Sequence, residues 1–128
     1  YLLSKIKRTY TLPYDRKCMH EFVVEGVWED APGVRAFDVS KRLIDYGVHP
    51  PTNYFPLIVH EALMIEPTET ESLESLDYFA DALLKIAEEA HTQPELLHEA
   101  PHHSPVRRCD EVLAAKQLIL RTGPKPNA

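Results

Sequence analysis

Hydrophobic positions along the chain recur with strand spacing in some segments and with helical spacing in others. Residues 19–27 alternate as a half-buried strand does, and residues 62–66 form a second apolar strand that Pro67 ends. Short apolar runs lie between them at 53–55 and 57–59, after a stiff proline-rich connection. Helical spacing and capping signals predict helices over 1–7, 36–46 and 72–91, a short helix from a Thr92 cap to Glu99, and a last helix from an Asp110 cap toward Leu120.

The two longest predicted helices each have an apolar face and a polar face. Gly47 follows the helix 36–46 in the C′ position, where a left-handed residue ends many helices. Thr68 and Glu71 have the spacing of a capping box before the helix 72–91. The polar stripe of the helix 36–46 consists of Asp38, Lys41, Arg42 and Asp45. The inner stripe of the helix 72–91 consists of Leu73, Leu76, Ala80, Leu83, Ala87 and Ala90, widened by Phe79 and Ile86.

The order of these elements indicates the fold class. Strand, helix, strand, strand and helix predict an α/β (α+β) two-layer small domain, with a small mixed or antiparallel sheet and helices packed on one face. With 128 residues and a mass of 14.6 kDa, the chain is long enough to bury one core. We expect a single domain over residues 1–121 and a flexible tail over 122–128.

Composition and charge narrow the class of protein. Hydrophobic residues make up 44% and charged residues 27% of the chain, which is typical of a soluble globular domain. No apolar run approaches the roughly 20 residues that a membrane helix needs. No secretory signal is recognisable, so a cytoplasmic location is predicted. The net charge is −6, and residues 66–99 hold ten Asp or Glu against Lys85 alone, which argues against nucleic acid as a partner.

Three histidines near the end of the chain are candidates for metal ligands. His98, His102 and His103 lie close together in sequence. However, neither a His-x-x-x-His pairing with its glutamate nor a neighbouring cysteine accompanies them, and Pro101 stiffens the segment. A solvated loop is therefore the favoured interpretation, and no metal is predicted.

Nucleophilic catalysis has little support in the sequence. Cys18 lies two residues before His20, so both would point the same way on an extended segment. A cysteine nucleophile, however, usually takes its base from a distant part of the fold. Cys18 and Cys109 make neither a disulfide framework nor a zinc motif. There is no Gly-x-Ser-x-Gly elbow, and the four glycines are scattered singly, so no phosphate-binding loop is predicted.

Polar side chains at the ends of the two predicted strands are better candidates for a site. His20 and Glu21 begin the first strand, and Glu66 and Thr68 follow the second. Strand ends are where α/β proteins place many ligand contacts. The competing interpretation is structural. His20 would then be a partly buried, hydrogen-bonded residue, and Thr68 with the glutamates would only begin the long helix.

Several stretches of the sequence together resemble one family. They are PYDRKCMHEF at 13–22, GVRAFDVSKRLIDYGVHPPT at 33–52, YFPLIV at 54–59, ALMIEPTETES at 62–72 and PVRR at 105–108, followed by Asp110 and Glu111. In order and spacing they resemble the C-terminal part of the glycine cleavage system P-protein, and more closely subunit 2 of its two-subunit bacterial and archaeal form. The resemblance covers about residues 1–121.

The resemblance implies a pyridoxal-phosphate glycine decarboxylase of fold type I, whose chain ends in a small α/β domain. Such an enzyme releases CO2 from glycine and passes the aminomethyl group to the lipoyl arm of the H-protein. The implied partners are the N-terminal pyridoxal-phosphate domain of the same enzyme, P-protein subunit 1 and lipoylated H-protein. His20, Glu21, Glu66 and Thr68 become candidates for lining the active-site cleft or the lipoyl channel, although no motif of known role carries them over.

The lysines of the chain depart from the family pattern. The family's cofactor lysine lies in a His-Lys pair, and none of Lys5, Lys7, Lys17, Lys41, Lys85, Lys116 and Lys125 follows a histidine. Without a Schiff-base lysine nothing stores the carbanion left by decarboxylation. We therefore expect an excised domain that is inactive alone and binds no pyridoxal phosphate tightly. The strand 62–66 also lacks the arginine that related small domains bring to a substrate carboxylate, which fits a reaction in which the carboxylate leaves.

Two other classes of function stay open on the sequence. The first is a stand-alone α+β module that binds a small ligand or a partner protein, as regulatory domains do. An exposed apolar patch on the first helix or on the sheet would fit both this module and an excised domain, because it marks either a partner surface or a missing domain. The second is metal binding through His98, His102 and His103, which titration with zinc would test.

Overall fold

The computed structural model describes residues 1–120 and 122–123. It confirms the predicted fold class, a small α+β domain in which helices and a three-stranded sheet share one core. Residues 124–128 of the predicted tail lie outside the described residues, so the flexibility of the tail stays a prediction. In chain order the elements are α1 (Leu2–Ile6), β1 (Phe22–Glu25), α2 (Ala36–Asp45), β2 (Thr52–Asn53), β3 (Ala62–Ile65), α3 (Leu73–Thr92), α4 (Pro94–His98) and α5 (Glu111–Lys116).

The sheet is antiparallel and its strands lie in the order β1-β3-β2. Phe22 of β1 lies opposite Ile65 of β3, and Val24 lies opposite Leu63. Because side chains alternate along a strand, these four residues share one face, and all of them are buried in the core with the helices. The opposite face includes Met64, which is only half-buried.

The first strand is shorter than its alternation predicts. It begins at Phe22, so His20 and Glu21 precede the strand instead of beginning it. The partner strand β3 ends at Ile65, and Pro67 just beyond has no amide hydrogen with which to extend the ladder. The residues before Phe22 therefore have no strand to pair with.

The longest helix, α3, organises the helical layer by contacting α1, α2 and α4. Leu83 lies on its buried stripe, and the hydroxyl of Tyr10 donates a 2.8 Å hydrogen bond to the carbonyl of Leu83 inside the core. The spacing predicts Leu73 on the inner stripe, and this prediction is wrong, because the residue is 64% exposed. The helix begins at Leu73 outside the packed core, and Leu76 is the first member of the stripe to be partly covered.

Two of the predicted helix caps are wrong. The hydroxyl of Thr68 pairs with that of Thr70 at 2.7 Å, and the side chain of Ser72 caps α3 instead by accepting a hydrogen bond from the amide of Ser75 at 3.1 Å. Thr92 is the last residue of α3 and caps nothing. The predictions that are confirmed are Gly47, with a φ of 70°, and Asp110, whose carboxylate accepts from the amide of Leu113 at 2.8 Å.

The segment after α4 covers the polar stripe of α2. Arg108 Nη1 lies 2.7 Å from Asp38 Oδ1, and the amides of His102 and His103 donate to Asp45 Oδ1 at 2.6 and 2.9 Å. Burial by itself would raise the pKa of Asp45, but these amides outweigh it and hold that pKa below its usual value. Polar contacts therefore cover Asp38 and Asp45 of this stripe. Amphipathic spacing alone would instead predict that the stripe faces solvent.

Exposed apolar side chains are concentrated away from the first helix. Leu2 and Ile6 of α1 are buried, whereas α5 has no buried residue. The main exposed groups are Tyr54, Phe55, Leu57 and Ile58 before β3, and Val112, Leu113, Leu118, Ile119 and Leu120 in and after α5. Within residues 1–120 and 122–123, no helix has both the length and the apolarity needed to cross a bilayer.

Candidate functional site

A cleft of about 770 Å³ opens where the connection 47–52, the end of β3 and the first turns of α3 meet. Pro50 and Pro51 stiffen the connection because each ring fixes its own φ. The hydroxyl of Tyr78 on α3 donates to the carbonyl of Tyr46 at 2.8 Å, which ties α3 to the end of α2 beside the cleft. The apolar lining is Leu2, Val48, Met64, Ile65, Leu76 and Phe79, and the polar lining includes Glu66, Thr68, Glu71, Glu74, Ser75 and Tyr78.

The charge of this cleft is negative. Glu66, Glu71 and Glu74 contribute carboxylates, and within the described part of the chain no lysine or arginine lines the cleft. A concave surface with carboxylates of one sign attracts cations and repels phosphate. The cleft therefore suits a neutral or cationic ligand group.

Three of the four predicted site residues come together at one end of the sheet. One imidazole nitrogen of His20 and one carboxylate oxygen each of Glu21 and Glu66 lie within 4.8 Å of one another. His20 Nε2 lies 3.8 Å from Glu21 Oε2. The pairing of Phe22 with Ile65 causes this, because it places the residues before β1 beside the residue after β3. Thr68 lies in the cleft lining with Glu66, whereas His20 and Glu21 meet Glu66 without lining the cleft themselves.

The same cluster is too open to be a preformed metal site. His20 and Glu21 have side chains that are 62% and 42% exposed. In a metal-binding histidine, the N–H of the other ring nitrogen normally donates a hydrogen bond to a fixed partner. The imidazole of His20 is instead largely exposed to solvent. Imidazole beside carboxylates can still accept, donate and orient protons, which is the chemistry the cluster offers.

His98, His102 and His103 are not brought together as metal ligands among the described residues. His98 Nδ1 lies 3.4 Å from Asp38 Oδ2, and His102 Nε2 is 2.9 Å from the carbonyl of Leu96. The imidazole of His98 thus contacts α2, whereas that of His102 contacts α4, so the two rings have different partners. Cys18 and Cys109 are both exposed free thiols.

The residues that line the cleft do not fit a pyridoxal-phosphate site, because no lysine is among them in the described part of the chain. A Schiff-base lysine needs a lowered pKa, but hydrogen bonds to Asp77 and Glu88 raise the pKa of Lys5 and Lys85, respectively. The side-chain nitrogen of Lys41 lies 4.8 Å from the centroid of the Phe37 ring, in a cation–π contact. The carboxylates of the cleft would also repel a phosphate. Lys125 is outside the described residues.

The fold and the site define a small α+β domain, with a three-stranded antiparallel sheet and an open acidic cleft at its strand ends. The chain matches the family model described as glycine dehydrogenase, C-terminal domain, over residues 1–106, and it belongs to that family. The resemblance found in the sequence is thereby confirmed.

Curated relatives agree with this family. Probable glycine dehydrogenase (decarboxylating) subunit 2 of Caldanaerobacter subterraneus subsp. tengcongensis is 63% identical over 121 residues, which are 94% of this chain and 25% of the relative. The proteins of the same name from Alkaliphilus oremlandii and Exiguobacterium sibiricum are 60% and 54% identical, over 94% and 98% of this chain and 25% of each relative. The chain thus spans about a quarter of the length of the relatives it matches.

The sequence does not predict that the connection 47–52 forms one wall of the cleft, or that Glu71 and Glu74, at the start of α3, line it. Pro50 and Pro51 were recognised as stiff, but nothing in their spacing shows that they face Glu71 and Glu74 across a cleft. The available signal is the run of acidic residues at 66–74, for which the sequence leaves open both a site at the strand end and a helix start complemented by the dipole.

Proposed function

We propose that this chain is the C-terminal small domain of a pyridoxal-phosphate glycine decarboxylase of the glycine cleavage system. The complete enzyme would release CO2 from glycine and transfer the aminomethyl group to the lipoyl arm of the H-protein. The observation that carries this proposal is the family match over residues 1–106, with relatives four times as long. The coenzyme lysine would lie outside this chain, and a cytoplasmic location is part of the proposal.

The role of the domain would be to close one side of the active-site cleft. An aminomethyl group carries an amine that is cationic at neutral pH, and the carboxylates of Glu66, Glu71 and Glu74 would favour its approach. Thr68 and Ser75 add neutral hydrogen-bond donors to the same lining. The acidic lining would at the same time leave the coenzyme phosphate to the N-terminal domain.

The proposed partners are the N-terminal pyridoxal-phosphate domain, P-protein subunit 1 and lipoylated H-protein. The exposed apolar groups before β3 and around α5 support at least one large missing contact, because contiguous apolar surface on a small domain marks an interaction site. A stand-alone regulatory module is not favoured, since the relatives contain this domain within much longer chains.

The purified chain mixed with pyridoxal phosphate should develop no visible aldimine absorbance band beyond the absorbance of the free coenzyme, and it should show no glycine-dependent CO2 exchange. The physical reason is that no lysine with a lowered pKa borders the cleft in the described part of the chain. The full-length Caldanaerobacter relative provides the positive control. A new band with this chain alone would contradict the expectation, and lack of exchange in the complete enzyme that carries this domain would refute the proposed function.

Replacing His20 with alanine in the complete enzyme should lower turnover by at least about tenfold, or ~1.4 kcal/mol of barrier. The imidazole adjoins the carboxylates of Glu21 and Glu66, where it can orient them or move a proton. His103→Ala is the matched control, because His103 lies on the segment that covers α2 and its amide contact to Asp45 remains. Unchanged kinetics for His20→Ala would show that His20 is only a packing residue.

A further inference from the structure

The turn between β2 and β3 presents its largest aliphatic side chains to solvent. Leu57 is 87% exposed and Ile58 is 81% exposed, and Phe55 beside them is more than half exposed. We call residues 55–58 the apolar tip. Single exposed hydrophobic residues are ordinary on a protein surface, but adjacent large ones at the end of a turn are not.

The backbone holds the apolar tip in a fixed position. Tyr54 and Glu61, on either side of the tip, have φ values of 60° and 45°, which non-glycine residues adopt only where their surroundings enforce it. The amide of Tyr54 donates to the carbonyl of Ala62 at 2.8 Å, and the amide of Val59 donates to the carbonyl of Pro56 at 3.0 Å. Val59 itself is buried, so it anchors the turn from below.

Glu61 fastens the same turn to two other parts of the fold. Its carboxylate accepts a 2.9 Å hydrogen bond from the amide of Ala36 at the start of α2 and lies 3.5 Å from the guanidinium of Arg35. Its carbonyl accepts from the amide of Gly26 at 2.8 Å. A tip held this rigidly loses little conformational entropy when another surface covers it, which is the property of a preorganised interface anchor.

We propose that Leu57 and Ile58 insert into an apolar recess on the polypeptide that precedes this domain in the full-length enzyme. This inference rests on the proposed function. About three quarters of the length of the relatives lies outside this chain, and the family is defined as the C-terminal domain, so that polypeptide is the largest surface available to cover the tip. A second copy of this domain is a poorer receptor, because the cleft described above is lined by Glu66, Glu71 and Glu74.

Thiol labelling in the complete enzyme tests this placement. Leu57→Cys is made in a background from which reactive cysteines, including Cys18 and Cys109, have been replaced by serine. Asp81→Cys on the exposed acidic face of α3 is the matched control. The thiol at position 57 should react with a maleimide at least about tenfold more slowly than the thiol at 81, and both should react alike in denaturant. Ile58→Cys, at the neighbouring position, should give the same protection.

Each outcome decides the proposal. Equal native rates at positions 57 and 81 would overturn it. Protection that disappears on dilution would assign the tip to a second copy, and protection that appears only after the other P-protein subunit is added would assign it to that subunit; either result overturns the intramolecular placement. Glycine-dependent CO2 exchange is measured on the unsubstituted enzyme in parallel. Loss of exchange there refutes the proposed function, whereas normal exchange with an unprotected thiol refutes only the docking of the tip.

Discussion

Glu89→Ala should lower the free energy of unfolding of the chain by about 3 kcal/mol, because it removes a buried carboxylate that is the main partner of the half-buried guanidinium of Arg42. Glu89 is only 6% exposed. Its carboxylate accepts from Arg42 Nε and Nη2 at 2.8 and 3.0 Å and from the hydroxyl of Tyr46 at 2.8 Å. Removing it leaves the half-buried guanidinium of Arg42 and the half-buried hydroxyl of Tyr46 without this acceptor at the contact between α2 and α3, with Asp45 as the remaining acid beside Arg42.

Glu88→Ala is the matched control for this variant. Glu88 is the preceding residue on α3, and it pairs with Lys85 at 2.7 Å in an exposed position. An exposed pair of this kind contributes at most about 1 kcal/mol. Urea denaturation of both variants at neutral pH measures the difference. A loss in Glu89→Ala no larger than that in Glu88→Ala would show that the buried network adds nothing to stability.

The pH dependence of stability gives a second measurement on Glu89. Burial by itself would raise the pKa of Glu89, but the hydrogen bonds from Arg42 and Tyr46 outweigh it and hold the pKa below the ordinary value of 4.5. A carboxyl with a depressed pKa in the folded state contributes stability above its unfolded pKa and loses it as the pH falls through the folded pKa. The unsubstituted chain should therefore lose more stability below about pH 4.5 than Glu89→Ala does.

Apolar periodicity predicted the helices and the strand faces well, because burial of one face decides both. Phe22 and Val24 alternate into the core as their spacing requires. Polar positions were less predictable. Asp38 and Asp45 belong to a stripe that looks solvent-facing, and only the return of the chain after α4 covers it. A contact between residues so distant in sequence leaves no periodic signal.

In the candidate site too, the local sequence predicts which residues are candidates, but their common location depends on contacts between distant parts of the chain. His20, Glu21 and Glu66 were selected because they stand at strand ends, and antiparallel pairing of β1 with β3 does bring them together. Their common location depends on that pairing, which the sequence left as mixed or antiparallel. The other wall of the cleft comes from the connection 47–52, whose position depends on β2 pairing with β3.

Leu63→Ala should cost about 3 kcal/mol of folding free energy, through lost burial and the cavity it leaves. Leu63 is fully buried on the central strand, opposite Val24. The conservative variant Leu63→Met keeps most of the volume and should cost less than about 1.5 kcal/mol. Thermal or urea unfolding measures both, and equal losses would contradict the role of side-chain volume at this position.

Gly26 gives this prediction an internal check. A Cβ at position 26 would lie 2.8 Å from Leu63 Cδ1 and 3.0 Å from the Cα of Ala36, so Gly26→Ala should by itself destabilise the fold by about 2 kcal/mol. In the double variant with Leu63→Ala, the clash with the leucine disappears and the new methyl group fills part of the cavity, while the contact with Ala36 remains. The two losses should therefore combine to less than their sum. Strict additivity would mean that the backbone of Ala36, and not Leu63, is what requires glycine at position 26.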